Sequence, residues 1–212
     1  MAKIMIYYST TIKLYSKDGD GARGMYTLPF QPRWTQAHGF AGPHLRIPFR
    51  FINAPHGFSE AQEAHIRDSA LAEITEQLGG CIEFYDDTKT KLYNDKYILF
   101  CHKKDNGEDE ECSSALGMVT EAFGIQNDER GKYQEIGIGP GCLTNHAGIQ
   151  HEMYHALGFV HEMNRNDRDS HVRIFYGNID PRRVLNCKTT TCHKNFGFLA
   201  KISILINISI LV

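Results

Sequence analysis

The sequence predicts a domain of α/β or α+β class, in which strand-like and helix-like segments alternate irregularly. Three observations carry this. Leu45, Ile47, Phe49 and Phe51 alternate with other residues, the period of a half-buried strand. Ile66, Ala70, Ile74 and Leu78 recur every fourth residue on one helical face. Residues 81–85 and 97–101 gather aromatic and branched side chains between turn-formers.

In chain order, the first 24 residues lack an uninterrupted apolar stretch with a small-residue cleavage site, so they do not form a secretory signal. Residues 17–24, rich in Gly and charge, read as a link. Pro48 within the first strand predicts an edge position, because proline cannot donate to a ladder. Ser59, with Gln62 three residues on, forms a capping-box pattern, and Gly79-Gly80 ends the helix that follows. The acidic run 105–111 reads as a solvated loop. Residues 134–139 are expected to be a further strand and Gly139-Pro140-Gly141 a turn after it.

Composition narrows the function. The 42% hydrophobic fraction is enough for a packed core, which excludes general disorder. Lys and Arg number 23 against 25 Asp and Glu, a net charge of -2, so no basic excess draws the chain to a nucleic-acid backbone. Six cysteines suit disulfides in an oxidising compartment, and eleven histidines direct attention to metal ligation.

Residues 151–161 read HEMYHALGFVH. On a helix, His151 and His155 stand about 40° apart, so both imidazoles can reach one ion. His161, on a continuing helix, would point roughly 120° away and lie about 9 Å further along the axis. Gly158 removes this obstacle, since glycine takes the left-handed conformation that ends a helix and turns the chain back. Three histidines leave a coordination position open, the pattern of a catalytic rather than a structural zinc site. Glu152 lies beside the ion without having to bind it; a carboxylate there can take a proton from water acidified by the metal and later return it to a leaving amine. Ile149, Met153, Ala156 and Leu157 are the core-facing side of the same helix.

With these residues the sequence resembles the astacin family of zinc metallopeptidases, in the metzincin group. The likeness continues through HEMNRNDRD at 161–169, and extends to Trp34, LRIPFRF at 45–51, GGCIEF at 79–84, CSSALG at 112–117, PGCLTNHAGIQHE at 140–152 and VRIFYGNID at 172–180. The resemblance implies an α+β metzincin-like zinc peptidase domain with a twisted mixed sheet and long helices. It implies one Zn2+ per chain held by His151, His155 and His161, with Glu152 as general acid/base. It also implies that Glu162 pairs with an amino terminus freed on removal of a propeptide, that a bond near Arg23 is cut, and that Asp18 or Asp20 stands as a candidate latency residue. Cys112 is implied to pair with Cys142, while Cys81 lacks its family partner. Cys101, Cys187 and Cys192 fall outside the family pattern; Cys187 and Cys192 could bridge each other, and with His193 they suggest a second metal site, against which exposed loop residues are the favoured reading.

The sequence also departs from the family. A methionine turn and a later tyrosine ligand are expected after His161, and neither Met163 nor Tyr176, in a strand-like stretch, fits those roles. The chain is therefore expected to divide into a propeptide remnant or linker at 1–24, an incomplete peptidase domain at 25–200 and an apolar tail of foreign sequence at 201–212, too short to span a bilayer as a helix. The expected activity is hydrolysis of peptide bonds in a protein or peptide substrate by a secreted, zinc-dependent endopeptidase, with the substrate extended along an edge strand at 134–139. The alternatives are a truncated, inactive homologue that binds zinc or peptide without turnover, and a purely structural zinc domain.

Overall fold

The computed structural model describes Trp34 and residues 44–53, 55–92, 95–104, 106–119, 125–128, 131–161, 164, 168–170 and 173–182. The expectations for Asp18, Asp20, Arg23, Glu162, Met163, Cys187, Cys192, His193 and residues 201–212 lie outside the described residues. The described residues form two compact units, the larger within Gln31–Gly158 and the smaller beginning at Phe159.

The larger unit is α+β. Its strands are β1 (Leu45–Phe51), β2 (Ile82–Asp86), β3 (Asp95–Cys101), β4 (Ser113–Ser114), β5 (Gln126–Asp128) and β6 (Gly131–Gly137). They form one mixed sheet in the order β2-β1-β3-β6-β4, with β5 also on β6. The long pairings are parallel, and only the short β4 and β5 run antiparallel to β6.

Two sequence expectations are corrected by this order. Pro48 is not on an edge, because β1 lies between β2 and β3. Leu45 N–H donates to Cys81 O, and Phe49 O accepts from Asp87 N–H, so alternate residues from Leu45 face β2. Pro48 therefore faces β3, one residue before the first registered β1–β3 pair, Phe49 with Ile98, where its missing N–H breaks no ladder bond. Residues 134–139 are not an edge strand either: β6 is flanked by β3 on one side and by β4 and β5 on the other. The strand also begins earlier than its apolar residues suggest, at Gly131. Gly139-Pro140-Gly141 is not a simple turn, since Pro140 opens the one-turn helix α3 (Pro140–Leu143), where proline at N1 sacrifices no helical bond.

The capping box forms as its sequence predicts. Ser59 Oγ accepts from Gln62 N–H, and Gln62 Oε1 accepts from Ser59 N–H. The helix runs through α1 (Glu60–Ala64), a π-helical segment (His65–Leu71) and α2 (Ala72–Gln77). Gly79 and Gly80 both adopt positive φ and terminate it, with Gly80 N–H returning to Thr75 O. Ile66, Ala70, Leu71 and Ile74 from this helix, with Ile149 and Met153 from α4 (His146–Ala156), are buried in the core.

Phe49, Phe51 and Phe100 pack with ring centroids 5.5–5.7 Å apart. Tyr97, Leu99, Cys101 and Tyr133 form a second cluster, with Ile52 against it. Arg50 lies over the Tyr97 ring at 4.1 Å and donates twice to Asp87 Oδ2, at 3.0 and 2.6 Å. The other Asp87 oxygen accepts from Thr90 Oγ1 and Leu92 N–H. The pair is buried, with Arg50 6% and Asp87 0% exposed.

Cys112 is bonded to Cys142, as the resemblance implies, which joins the start of β4 to α3. Cys81 is an exposed thiol, and buried Cys101 is a thiol as well. In the smaller unit, residues 176–178 form a 3-10 turn rather than a strand, and Arg168 Nη2 donates to Tyr176 Oη at 2.8 Å. Among the described residues, no helix is long and apolar enough to cross a membrane.

Candidate active site

The site is built on α4, an eleven-residue helix in which eight positions are buried. His151 and His155, one turn apart, place their rings 4.4 Å apart and nearly perpendicular, at 82°. Leu157 N–H and Gly158 N–H close the last turn on Met153 O and His155 O, and Gly158 has φ of +99°. This is the left-handed conformation that the sequence requires between His155 and His161. One side-chain nitrogen from each of His151, His155 and His161 lies within 4.8 Å of the others. Three partly buried imidazoles at that separation form a donor set that fits a zinc ion with one position left open.

Glu152 faces inward and is only 8% exposed. Burial alone raises its pKa to about 7, because a carboxylate loses hydration when it is taken from water. A nearby divalent cation acts in the opposite direction by favouring the charged form. Burial thus brings its proton affinity near the range useful for proton transfer at neutral pH.

Several residues that hold this helix are not apparent from the motif. Trp34 Nε1 donates to Ala156 O at 2.9 Å, so the indole fastens the end of α4. Gly117 N–H donates to His155 O at 2.8 Å, tying the loop after β4 to the second histidine. Gln134, buried on β6, accepts from Val119 N–H and donates to Gly117 O at 3.0 Å. Gln134 stands between Lys132 and Glu135 in a strand of mixed polarity, so its residue type gave no signal, and Gly117 entered only through the CSSALG likeness. Gly139 has its own requirement, since a Cβ there would overlap the Glu110 carbonyl oxygen.

The sequence model of the peptidase family described as Astacin matches residues 41–198. High choriolytic enzyme 1 of Oryzias latipes is 49% identical over 57 residues, 27% of this chain and 21% of that protein. Zinc metalloproteinase nas-28 of Caenorhabditis elegans is 32% identical over 96 residues, 45% of this chain and 19% of that protein. Meprin A subunit beta of Homo sapiens is 46% identical over 65 residues, 31% of this chain and 9% of that protein. The alignments thus span between 9% and 21% of these relatives' own lengths. Among solved structures, High choriolytic enzyme 1, a hatching enzyme zinc-protease from Oryzias latipes, superposes with a TM-score of 0.55 at 29% identity, covering 76% of this chain and 66% of that one.

Proposed function

Since the chain belongs to the astacin family of peptidases, we propose that it is a secreted, zinc-dependent endopeptidase whose ion is held by His151, His155 and His161 and whose general acid/base is Glu152. The observation that carries the proposal is the cluster of three histidine nitrogens within 4.8 Å, with a buried carboxylate at the next residue after the first. A bound zinc ion supplies Lewis acidity, polarising a carbonyl and lowering the pKa of water.

The remaining work falls to the protein. Glu152 accepts a proton from the attacking water and passes it to the departing amine, which has to leave as a neutral group. Its burial keeps bulk water from competing for that proton. The backbone bond from Gly117 to His155 holds the second histidine's turn in register. β4 stands at one end of the sheet path, opposite β2, and its following loop is tied to α4. An extended peptide paired with the outer edge of β4 would be gripped through its main chain, without dependence on side-chain identity.

The test is hydrolysis of unstructured peptides by the zinc-loaded chain, beside Glu152→Gln. The substitution keeps the side chain's shape and removes the base, so turnover is expected to fall by about 100-fold or more with zinc content unchanged. One equivalent of zinc without hydrolysis above that variant would overturn the enzymatic reading and leave a homologue that binds metal without turnover.

A further inference from the structure

The pairing of β4 with β6 stops at Ser114, and a side chain of β6 holds the chain that follows. The two registered pairs are Ser113 with Gly137 and Ser114 with Ile136. Beyond them, Gln134 Oε1 accepts from Val119 N–H at 2.9 Å, and Gln134 Nε2 donates to Gly117 O at 3.0 Å and to Ala115 O at 3.4 Å. Three backbone groups within residues 115–119 are thus held by one amide that is itself 3% exposed. Gln134 shares a face of β6 with fully buried Ile136, so the strand carries this polar group into the interior. Two carbonyls need a donor and one N–H needs an acceptor, all within reach of a single side chain. That set matches a carboxamide, and neither a carboxylate nor a thioether supplies it.

The segment held in this way also meets the metal-holding helix. Gly117 N–H donates to His155 O at 2.8 Å, and a Cβ on Gly158 would stand 3.7 Å from Gly117 Cα. Gly117 is therefore fixed from both sides, its carbonyl by Gln134 and its N–H by the second histidine. In the other direction, residues 115–119 continue directly from β4, the strand that ends the sheet path and offers its outer edge to an extended peptide.

From this arrangement we propose that Gln134 is a positioning residue of the peptidase, holding the peptide-pairing edge of β4 and the His155 turn in one fixed relation. The inference rests on the function proposed above and adds to it a residue outside the histidine motif. Without the amide, Val119 N–H and Gly117 O lose a buried partner, and the loop has to move to find others. Both ends feel that movement. The backbone at His155 loses a fixed neighbour, which loosens the second ligand, and the continuation of β4 loses its anchor. The relation is reciprocal, since whatever the held loop contributes to ion binding, the ion returns to the loop.

The test uses the full chain with Gln134→Met, which keeps the length of the side chain and removes the amide. Zinc affinity, measured by competition with a chelator, is expected to fall by about 10-fold or more. At saturating zinc, KM for unstructured peptides should rise by a similar factor, or the peptide Kd should rise if the chain proves inactive. Asp87→Ala, at the far end of the sheet path, is the control for a merely structural loss. Below its own thermal midpoint it should keep zinc affinity and KM within about 2-fold of the unaltered chain. If Gln134→Met does not fold by circular dichroism, Gln134→Glu, which keeps an acceptor for Val119, takes its place. Amide hydrogen exchange needs no substitution: zinc should slow Val119 N–H by about 10-fold or more beyond its effect on Asp87 N–H, which reports overall stabilisation. An unchanged zinc affinity or unchanged peptide binding in a folded Gln134 variant, an equal loss in Asp87→Ala, or no excess slowing at Val119 overturns the assignment. Hydrolysis no greater than that of Glu152→Gln removes the enzymatic reading alone, because the zinc and peptide titrations still decide the role of Gln134. Failure of the unaltered chain to bind zinc overturns both.

Discussion

Replacing Asp87 by Ala tests how the buried pair with Arg50 contributes to the sheet. The perturbation removes at least four accepted hydrogen bonds at once, two from Arg50 and one each from Thr90 and Leu92. It also strands the Arg50 guanidinium where it is 6% exposed, with the Tyr97 ring as a remaining partner. Breaking a buried pair from one side costs about 3–5 kcal/mol, because the surviving charge keeps its desolvation penalty. For a domain of this size that is a fall in midpoint of roughly 6–20 °C. Replacing both residues, Arg50→Met with Asp87→Leu, removes the stranded charge and should recover at least half of the loss. The assay is equilibrium urea unfolding under oxidising conditions, followed by the fluorescence of Trp34, the one tryptophan in the chain. A cost for Asp87→Ala below about 1 kcal/mol, or simple additivity in the double variant, would refute the reasoning.

Three other outcomes follow from the same structure. Gly158→Ala places a Cβ at only ordinary contact distance, 3.7 Å from Gly117 Cα, so its cost of about 1–2 kcal/mol is that of φ at +99°, and an unchanged thermal midpoint would contradict the assignment. Cys112→Ser with Cys142→Ser opens a loop with a sequence separation of 30. Chain entropy sets its loss near roughly 3.5 kcal/mol, read as a lower denaturant midpoint than that of the oxidised parent. Arg46 donates to Glu83 at 2.7 and 2.5 Å and holds its carboxyl below the usual range. The stabilisation is therefore complete above the ordinary carboxylate pKa and fades as pH falls through the lowered one. Because the pair is partly exposed, Glu83→Gln should remove less than about 1 kcal/mol of that acid-side slope.

The histidine site was legible because its information is local. His151, His155, Gly158 and His161 lie within eleven consecutive residues, and helical geometry with one left-handed glycine nearly determines their relation. The capping box at Ser59 and the Gly79-Gly80 terminus are local for the same reason. The strand neighbours were not legible. Pro48 suggests an edge on its own, and only the stagger between β1 and β3 explains how an interior strand accommodates it. Residues 134–139 read as an accessible strand because β4 and β5 are too short to register as periodic patterns. The Arg50–Asp87 pair also gave no signal, since partners 37 residues apart meet only through the pairing of β1 with β2. The π-helical geometry was hidden as well, because the four-residue recurrence of Ile66, Ala70 and Ile74 reads equally well as an ordinary helix.

The parallel arrangement of β2, β1, β3 and β6 bears on the order in which the chain assembles. Parallel neighbours cannot be joined by a tight hairpin, so each pairing closes a long loop before any ladder bond forms. Phe49 meets Ile98 and Ile98 meets Gln134, pairs 49 and 36 residues apart by their numbering. Such non-local contacts place folding on the slow side for a mixed domain and leave strand edges exposed while it proceeds. The Trp34–Ala156 bond spans 122 residues and joins opposite ends of the larger unit's sequence. It should be among the last contacts to form, so the indole reports on completion of the α4 terminus rather than on initial collapse.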